Sequence, residues 1–592
     1  MTASIETATL HYRAGRLADA IGDCRAILTV EPGHADALNL LGASLFSSGE
    51  DGAAEALYEA VRLAPGHAAA LINLAVVLQH RREWAAAGRV LRRLVACRPD
   101  SPEACGWLGT VSMETGDLDA SLRFFRRTAQ LDPQAGVHWF NLSTARSVSG
   151  DAAGAISDLR RAIGIAPDGV LAYGKLGEAL LVLGRVVPAA GTFRHALRLD
   201  PTASGALDGL ARCRRYQAAM AAASVATAGR GLVIRGAYAN SSGYGYACRR
   251  FVQALRARGV PLQAIGVRGP ESWAAEDLDR PVPARAMVNF LIPSAVERVP
   301  GLATVTFTMF EGPGIPPAWR RQSDLSDLII VPCESSRAAW AAAGYPEDRL
   351  RVCAQGVDPE TSAGPPLTLI DPGGRPVSSY RHRFLNISDF TPRKNIDGLL
   401  RVWLRSTVRA DDAVLILKLG KGGNPALRAE LATLVRRSES AVGRRLADAA
   451  PVVLVDHALT DTDMTALVRT ATHYWSMSHG EGWDLPMVEA GALGLGLIAP
   501  RHSAYVDYLD DRVARLIPAT VGPARLPYSD RPFPPFHGLD WWNPDEDAAA
   551  AILAGILRGD GLPSARDHLL QRFSWSRAAD RLLTILDEAG LR

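Results

Sequence analysis

The chain has 592 residues, 48% apolar and 21% charged. That balance excludes a disordered chain, and the length exceeds one core at about 100–200 residues per domain. The formal net charge of +3 gives no reason to expect a nucleic-acid partner. The seven cysteines form no C-x-x-C pair, which argues against a disulfide frame or a cysteine zinc site and fits reduced thiols in a cytoplasmic protein. The N-terminus MTASIETATLHYRAGRLADA lacks the apolar core of a signal peptide, and no run of about 18 apolar residues offers a membrane span. Peripheral contact with the inner face of a membrane stays open.

The first third repeats. Prolines fall at 32, 65, 99, 133, 167 and 201, spaced 33 residues once and 34 thereafter. Nine residues past the first five come Leu41, Leu74, Leu108, Leu142 and Leu176, followed by the small residues Gly42, Ala75, Gly109, Ser143 and Gly177. Small residues let two helices cross closely, and each proline ends a second helix. This pattern resembles tetratricopeptide repeats. It implies an all-α solenoid over 1–216, about six repeats beginning near Ala3, with the short step placed in the turn at Ser47–Glu50. The position eight past each proline reads Leu40, Asn73, Trp107, Asn141 and Lys175. Asn73 and Asn141 resemble part of the asparagine ladder of the O-linked N-acetylglucosamine transferases; ordinary repeat consensus is the other reading. Residues 217–230 are rich in small residues and are expected as a closing helix and linker.

The remainder alternates strands and helices, which predicts two α/β halves around a cleft. The first, 231–360, opens with the strand candidate GLVIRGAY. A glycine loop with Gly243 and Gly245 follows, then the helical pattern CRRFVQALRARG; strand, glycine loop and helix together can bring backbone N–H groups to a phosphate. ATVTFTMFEG and LIIVP continue the half. A proline- and glycine-dense linker is expected at 361–382. The second half, 383–572, carries strand candidates at RFLNIS, AVLILKLG, PVVLVD, HYWSMS and LGLIAP. An amphipathic helix is expected over 573–592, packing back toward the first half.

The densest chemistry is SHGEGWDLPMVEAG, residues 478–491. Asp484 is a candidate N-cap, Pro486 suits the first turn, and Gly494 would end the helix. Glu481 then lies ahead of the helix and Glu489 about one turn inside. Free N–H groups at the helix end suit a diphosphate, and the two carboxylates can each accept hydrogen bonds from sugar hydroxyls. Arg393 and Lys394, in FTPRKN, are either a solvated helix start or the cations that meet a leaving diphosphate; cations at a helix N-terminus oppose its dipole, which favours the second. Asp461 to Asp463 (DTD) is expected as a helix cap rather than a metal motif.

E-G-W-D-L-P-M-V-E-A resembles the E-x7-E signature of the retaining GT-B glycosyltransferases of family four, and FTPRKN resembles that family's arginine–lysine motif. The likeness covers about 231–592. It implies a GT-B fold, Glu489 on the nucleotide ribose, and Glu481 with the backbone of Gly482 and Trp483 around the donor sugar. Arg393 and Lys394 would hold the diphosphate. Glu311 and His502 would lie on the acceptor side, Glu311 being otherwise a capping or salt-bridged loop residue; His502 and Asp507 could line the sugar pocket. The family usually has a small residue where Asp484 stands. No metal or other cofactor is expected.

The expectation is a cytoplasmic hexosyltransferase-type enzyme with a nucleotide sugar as donor and a protein or glycan as acceptor, recruited by the repeats. The alternatives are a transferase for surface polysaccharide or lipid-linked glycan, with the repeats used for assembly, and an inactive sugar-binding scaffold. The layout resembles that of the O-linked N-acetylglucosamine transferases, whose catalytic motifs differ.

Overall fold

Proline spacing in the first third becomes helix pairing in the computed structural model, which describes residues 4–225, 231–238, 243–267, 278, 280–358, 365–420, 425–527 and 533–592. The chain divides into two units. One holds Met1–Ala179 with the short segments Arg198–Pro201 and Arg531–His537; the other holds Leu180–Leu197, Thr202–Asp530 and Gly538–Arg592.

Helix pairs run from Ile5–Arg13 with Leu17–Val30 to Val170–Val182 with Val186–Leu199, six pairs among the described residues, followed by the single helix Ser204–Val225. The small residues work as expected within the first unit. A Cβ on Gly42 would lie 2.5 Å from Leu57 Cγ, and one on Gly109 2.9 Å from the Phe125 ring. The short step lies between Gly42 and Leu57, whose contact repeats as that of Gly109 with Phe125 one residue further apart, a span that includes the expected turn. It is accompanied by a shorter second helix, Ala53–Leu63, which has 11 residues where the second helices of the neighbouring repeats have 14. The four-residue turn ahead of it ends at Gly52 with φ +95°, a conformation glycine adopts freely. Asn73 is half-buried, and its Nδ2 donates to Asn39 Oδ1 of the preceding repeat at 2.8 Å. Leu40, the residue sequence spacing assigned to that position, is 9% exposed and turns into the core. Asn141 is half-buried.

The second unit contains two parallel six-stranded sheets. In the first, β1 (Gly231–Gly236), β2 (Leu262–Gly266), β3 (Ala284–Phe290), β4 (Ala303–Phe307), β5 (Leu328–Val331) and β6 (Leu350–Val352) lie in the order β2-β1-β3-β4-β5-β6. In the second, β7 (His382–Ser388), β8 (Ala413–Leu419), β9 (Val452–Val455), β10 (His473–Trp475), β11 (Gly496–Pro500) and β12 (Arg515–Ile517) lie in the order β12-β11-β10-β7-β8-β9. These are doubly wound, Rossmann-like orders, with switch points between β1 and β3 and between β7 and β10. Two such halves after a repeat solenoid are the GT-B architecture the sequence implied.

Helix Ser204–Val225 continues through the stretch expected as linker from 217 to its last residue; 226–230 lie outside the described residues. Within the second unit this helix sends Arg212 and Tyr216 to Glu297, Arg212 Nη1 at 2.7 Å from Glu297 Oε1. The described part of the proline-rich 361–382 stretch runs along helix Asp461–Thr470, Leu367 N donating to Thr470 Oγ1 at 3.0 Å. The terminal helix Trp575–Glu588 is capped by Ser574 and packs on helix Gly243–Arg256 of the first half, with Phe251 against the Trp575 ring at 5.4 Å. All seven cysteines are free thiols, and all but Cys97 are buried.

Candidate functional site

The switch point between β7 and β10 puts two loops side by side at the carboxyl ends of their strands. Asn386, near the end of β7, donates from Nδ2 to Trp475 O of β10 at 2.8 Å. Further out, His479 N donates to Arg393 O at 2.7 Å. The β7 loop makes a single turn at Pro392–Lys394, and Asn395 then caps helix Ile396–Ser406 by accepting from Gly398 N at 3.0 Å. Arg393 and Lys394 are therefore held on a turn ahead of the helix and point across to the β10 loop.

There they meet Glu481. Lys394 Nζ lies 2.6 Å from Glu481 Oε1, and Arg393 Nη1 3.1 Å from Glu481 Oε2. Arg393 also donates to Gly480 O, and its Nη2 lies 3.4 Å from Glu311 Oε1. Burial alone would raise the Glu481 carboxyl, but Lys394 and Arg393 beside it hold it down to about 2. Burial likewise opposes the Arg393 charge, and the two carboxylates more than restore it, holding the guanidinium well above its ordinary range.

Both halves of the second unit line a cleft of 740 Å³, and the expected Glu481, Gly482, Trp483, Glu489, Arg393, Lys394 and Gly243 are on its walls. Gly480 and Gly482 mark a close approach of the two halves. A Cβ on Gly480 would lie 1.7 Å from Glu311 O, and one on Gly482 2.5 Å from Met309 Sδ. Trp483 is 2% exposed, its ring against Tyr508 at 5.0 Å and Phe573 at 5.5 Å. Glu489 is half-buried one turn into helix Leu485–Ala492. Burial pushes its carboxyl up to about 7, against the opposing influence of the Tyr246 hydroxyl and Arg250.

Several expectations change. Asp484 stands at the N-cap position but its side chain does not cap; it sits at φ +58° and accepts from Tyr505 Oη at 2.7 Å. Burial, together with the Glu481 charge, raises it to about 6. His502 does not line the cleft. It is 4% exposed, bonded through Nε2 to Ser478 O at 2.9 Å and through Nδ1 to Ser503 Oγ at 3.0 Å, and stacked on Trp542. Burial lowers it to about 3, so it is a neutral, satisfied imidazole behind the site. Ser503 Oγ in turn accepts from Glu481 N at 3.1 Å, so this pair braces the Glu481 loop. Asp507 leaves the pocket too: its carboxylate accepts from Glu334 N at 2.6 Å, at the start of helix Glu334–Ala342. Gly245 is buried inside the first turn of helix Gly243–Arg256 and is absent from the cleft wall, where Tyr244 and Tyr246 stand instead. Residues 239–242 of the expected glycine loop lie outside the described residues. The DTD stretch does start a helix, with Thr460 and Asp463 forming a reciprocal capping box. Among the described residues, no group of three or more His, Cys, Asp and Glu side chains is placed to hold a metal ion.

Sequence reading missed Lys418. It is 5% exposed at the end of β8, lines the cleft and donates to Gly420 O at 2.5 Å. Its signal was there: a lone charge inside the apolar run AVLILKL.

The family model for the tetratricopeptide repeat matches residues 5–68, 51–102, 72–136 and 140–204. No curated protein matches the chain. Among solved structures, the chain is similar to Anabaena HepE, solved in complex with UDP and glucose, at 12% identity and a TM-score of 0.42, covering 61% of this chain and 100% of that one. It is also similar to a mutant O-GlcNAc transferase of Thermobaculum terrenum at 15% identity and a TM-score of 0.37, covering 89% and 96%. YrrB, a repeat protein described as having an unusual peptide-binding site, matches at 16% identity and a TM-score of 0.29, covering 31% and 95%.

Proposed function

We propose that the second unit is a glycosyltransferase of the retaining GT-B family-four type, moving a hexose from a nucleotide-sugar donor to an acceptor recruited by the repeats. The observation that carries this reading is the pairing of Arg393 and Lys394 with Glu481 at the β7/β10 switch point, where doubly wound sheets bind ligands. A nucleoside diphosphate arriving there brings the anion that both cations lack apart from Glu481 and Glu311. As the glycosidic bond breaks, charge grows on the leaving diphosphate. Fixed cations in a cleft stabilise that charge more in the transition state than in the bound donor. This chemistry needs no metal, and none is proposed.

In this reading Glu489 accepts hydrogen bonds from the ribose hydroxyls, and the backbone of Gly482 and Trp483 shapes the sugar pocket. Glu311, carried by the first half and paired with Arg393, faces the acceptor. The acceptor is a protein or a glycan, met by the repeat surface that carries Asn39, Asn73 and Asn141. A cytoplasmic site of action is part of this proposal, and the seven free cysteines fit it.

The test is a screen of nucleotide sugars by thermal shift and hydrolysis, with Glu489→Ala and Arg393→Ala beside the wild type. Stabilisation and turnover by one donor, lost in both variants, supports the enzyme. No response to any donor rejects it in favour of a sugar-binding scaffold.

A further inference from the structure

The second helices of three consecutive repeats, Trp84–Cys97, Leu118–Leu131 and Ala152–Ile165, carry arginine pairs in register: Arg92 and Arg93, Arg126 and Arg127, Arg160 and Arg161. Each pair lies 34 residues from the next, the period of the repeat itself, so the three pairs occupy equivalent places on three stacked helices. All six side chains are exposed. Arg89 and Arg123 extend two of the rows by one turn, at the three- and four-residue spacings that share a helix face.

Acidic neighbours do not balance this ridge. The three helices contain eight arginines but only Asp119 and Asp158 as acids, and Asp158 is buried against Arg146. Arg127 pairs with Asp100 at 2.8 Å, and Arg161 lies over the Trp139 ring at 4.1 Å. Among the described residues Arg92, Arg93, Arg126 and Arg160 form no ion pair. Like charges four apart on a helix, such as Arg89 with Arg93 and Arg123 with Arg127, destabilise it. A whole-chain net charge of only +3 makes this local excess a concentration of charge rather than a general basicity. Arg127 and Arg161 recover part of this cost through Asp100 and Trp139, while Arg92, Arg93 and Arg160 recover none through an ion pair, and a repeated local cost of that kind marks a functional surface.

We propose that this ridge docks the repeat unit on an anionic lipid bilayer. The three helices expose no large apolar side chain beside the arginines, so the ridge lacks the pockets an acidic peptide would need for its side chains. It also lacks the exposed aromatic platforms that single-stranded nucleic acids stack on. It presents charge alone, and a bilayer surface with anionic headgroups is the partner that charge alone recognises. The surface is on second helices, apart from the first-helix residues Asn39, Asn73 and Asn141, so lipid and an acceptor could be bound together.

The experiment is co-sedimentation of the full chain with phosphatidylcholine vesicles, with and without phosphatidylglycerol. Wild type should sediment with the anionic vesicles only, and salt should release it. The triple variant Arg92→Gln, Arg126→Gln, Arg160→Gln should partition about 100-fold less well while keeping the wild-type melting temperature and far-ultraviolet dichroism. A second triple variant, Arg93→Gln, Arg127→Gln, Arg161→Gln, should lose binding similarly. Equal sedimentation with neutral and anionic vesicles, or undiminished binding by both variants, would overturn the proposal. So would tighter binding to polyglutamate or to DNA than to the vesicles, which would give the ridge to an acidic polymer.

Discussion

Arg393 is shared between a carboxylate of each half, Glu481 and Glu311. In the proposed reaction the donor's diphosphate must compete with both for the guanidinium. Glu311 is the more exposed partner, at 24% against 5%, so it is the one a diphosphate displaces. Glu311→Gln should therefore tighten UDP, GDP or ADP, whichever the wild type binds, by roughly twofold to fivefold, the worth of a partly exposed ion pair. Calorimetry reads this directly, and an unchanged affinity for the matching nucleoside locates the effect at the phosphates. A second expectation concerns pH. The folded Glu489 carboxyl is raised to about 7, above its unfolded value, so its contribution to stability is full at acid pH and is lost as pH rises through about 7. In the proposed reading, ionised Glu489 is the form that accepts two ribose hydroxyls. Donor affinity should thus rise between pH 6 and pH 8, and Glu489→Gln should flatten that rise. Glu481 behaves oppositely: held at about 2, it contributes stability above its unfolded value and loses it as pH falls toward 2. That Glu481, Glu489, Arg393 and Lys394 come to one cleft wall was legible because their spacing resembles a known motif. His502 was misjudged because a histidine after a strand looks the same in sequence whether it faces a cleft or stacks on Trp542.

The loops after β7 and β10 owe their geometry to glycines that sequence marks but does not explain. Gly480 has no room for a side chain because the backbone of Glu311 lies over it. Gly480→Ala should push the two loops apart, lowering the melting temperature and abolishing donor turnover, while Gly561→Ala, where an added Cβ meets no atom and φ is not positive, is the contrasting control. The strands themselves were partly legible. AVLILKL and LIIV are apolar runs of the kind a buried parallel sheet demands. β2 and β3 were missed because each hides a polar residue inside: Gln263 and Asn289 are both fully buried. Asn289 Oδ1 accepts from Arg235 Nη1 at 3.2 Å, and Arg235 Nη2 lies 3.2 Å from Glu297 Oε2. Such pairing across strands is invisible until the sheet is built. The same cluster holds the part of helix Ser204–Val225 that precedes the expected linker: Arg212 and Tyr216 reach Glu297 from it. Glu297→Ala leaves two buried guanidinium groups without their carboxylate and should cost about 3–5 kcal/mol in denaturant unfolding.

At the scale of the molecule, the period of 34 residues and the strand–helix alternation announced a solenoid followed by two doubly wound halves, and both are present. Long periodic signals survive translation into structure because each repeat meets the same neighbours. Single-residue register does not: Asn39, not Leu40, is the residue that pairs with Asn73. If the repeats recruit the acceptor, Asn39→Ala with Asn73→Ala should lower transfer to the natural acceptor several-fold and leave donor hydrolysis untouched, as a comparison of the two rates would show. The central claim is that Arg393 and Lys394 hold the diphosphate of a nucleotide sugar. It is tested most directly by titrating UDP, GDP and ADP calorimetrically into wild type, Arg393→Ala and Lys394→Ala. One nucleotide should bind the wild type, and each variant should bind it at least tenfold more weakly, the least that losing a hydrogen bond to a charged group of about 1.5–3 kcal/mol implies. Equal affinity in all three proteins would contradict the account.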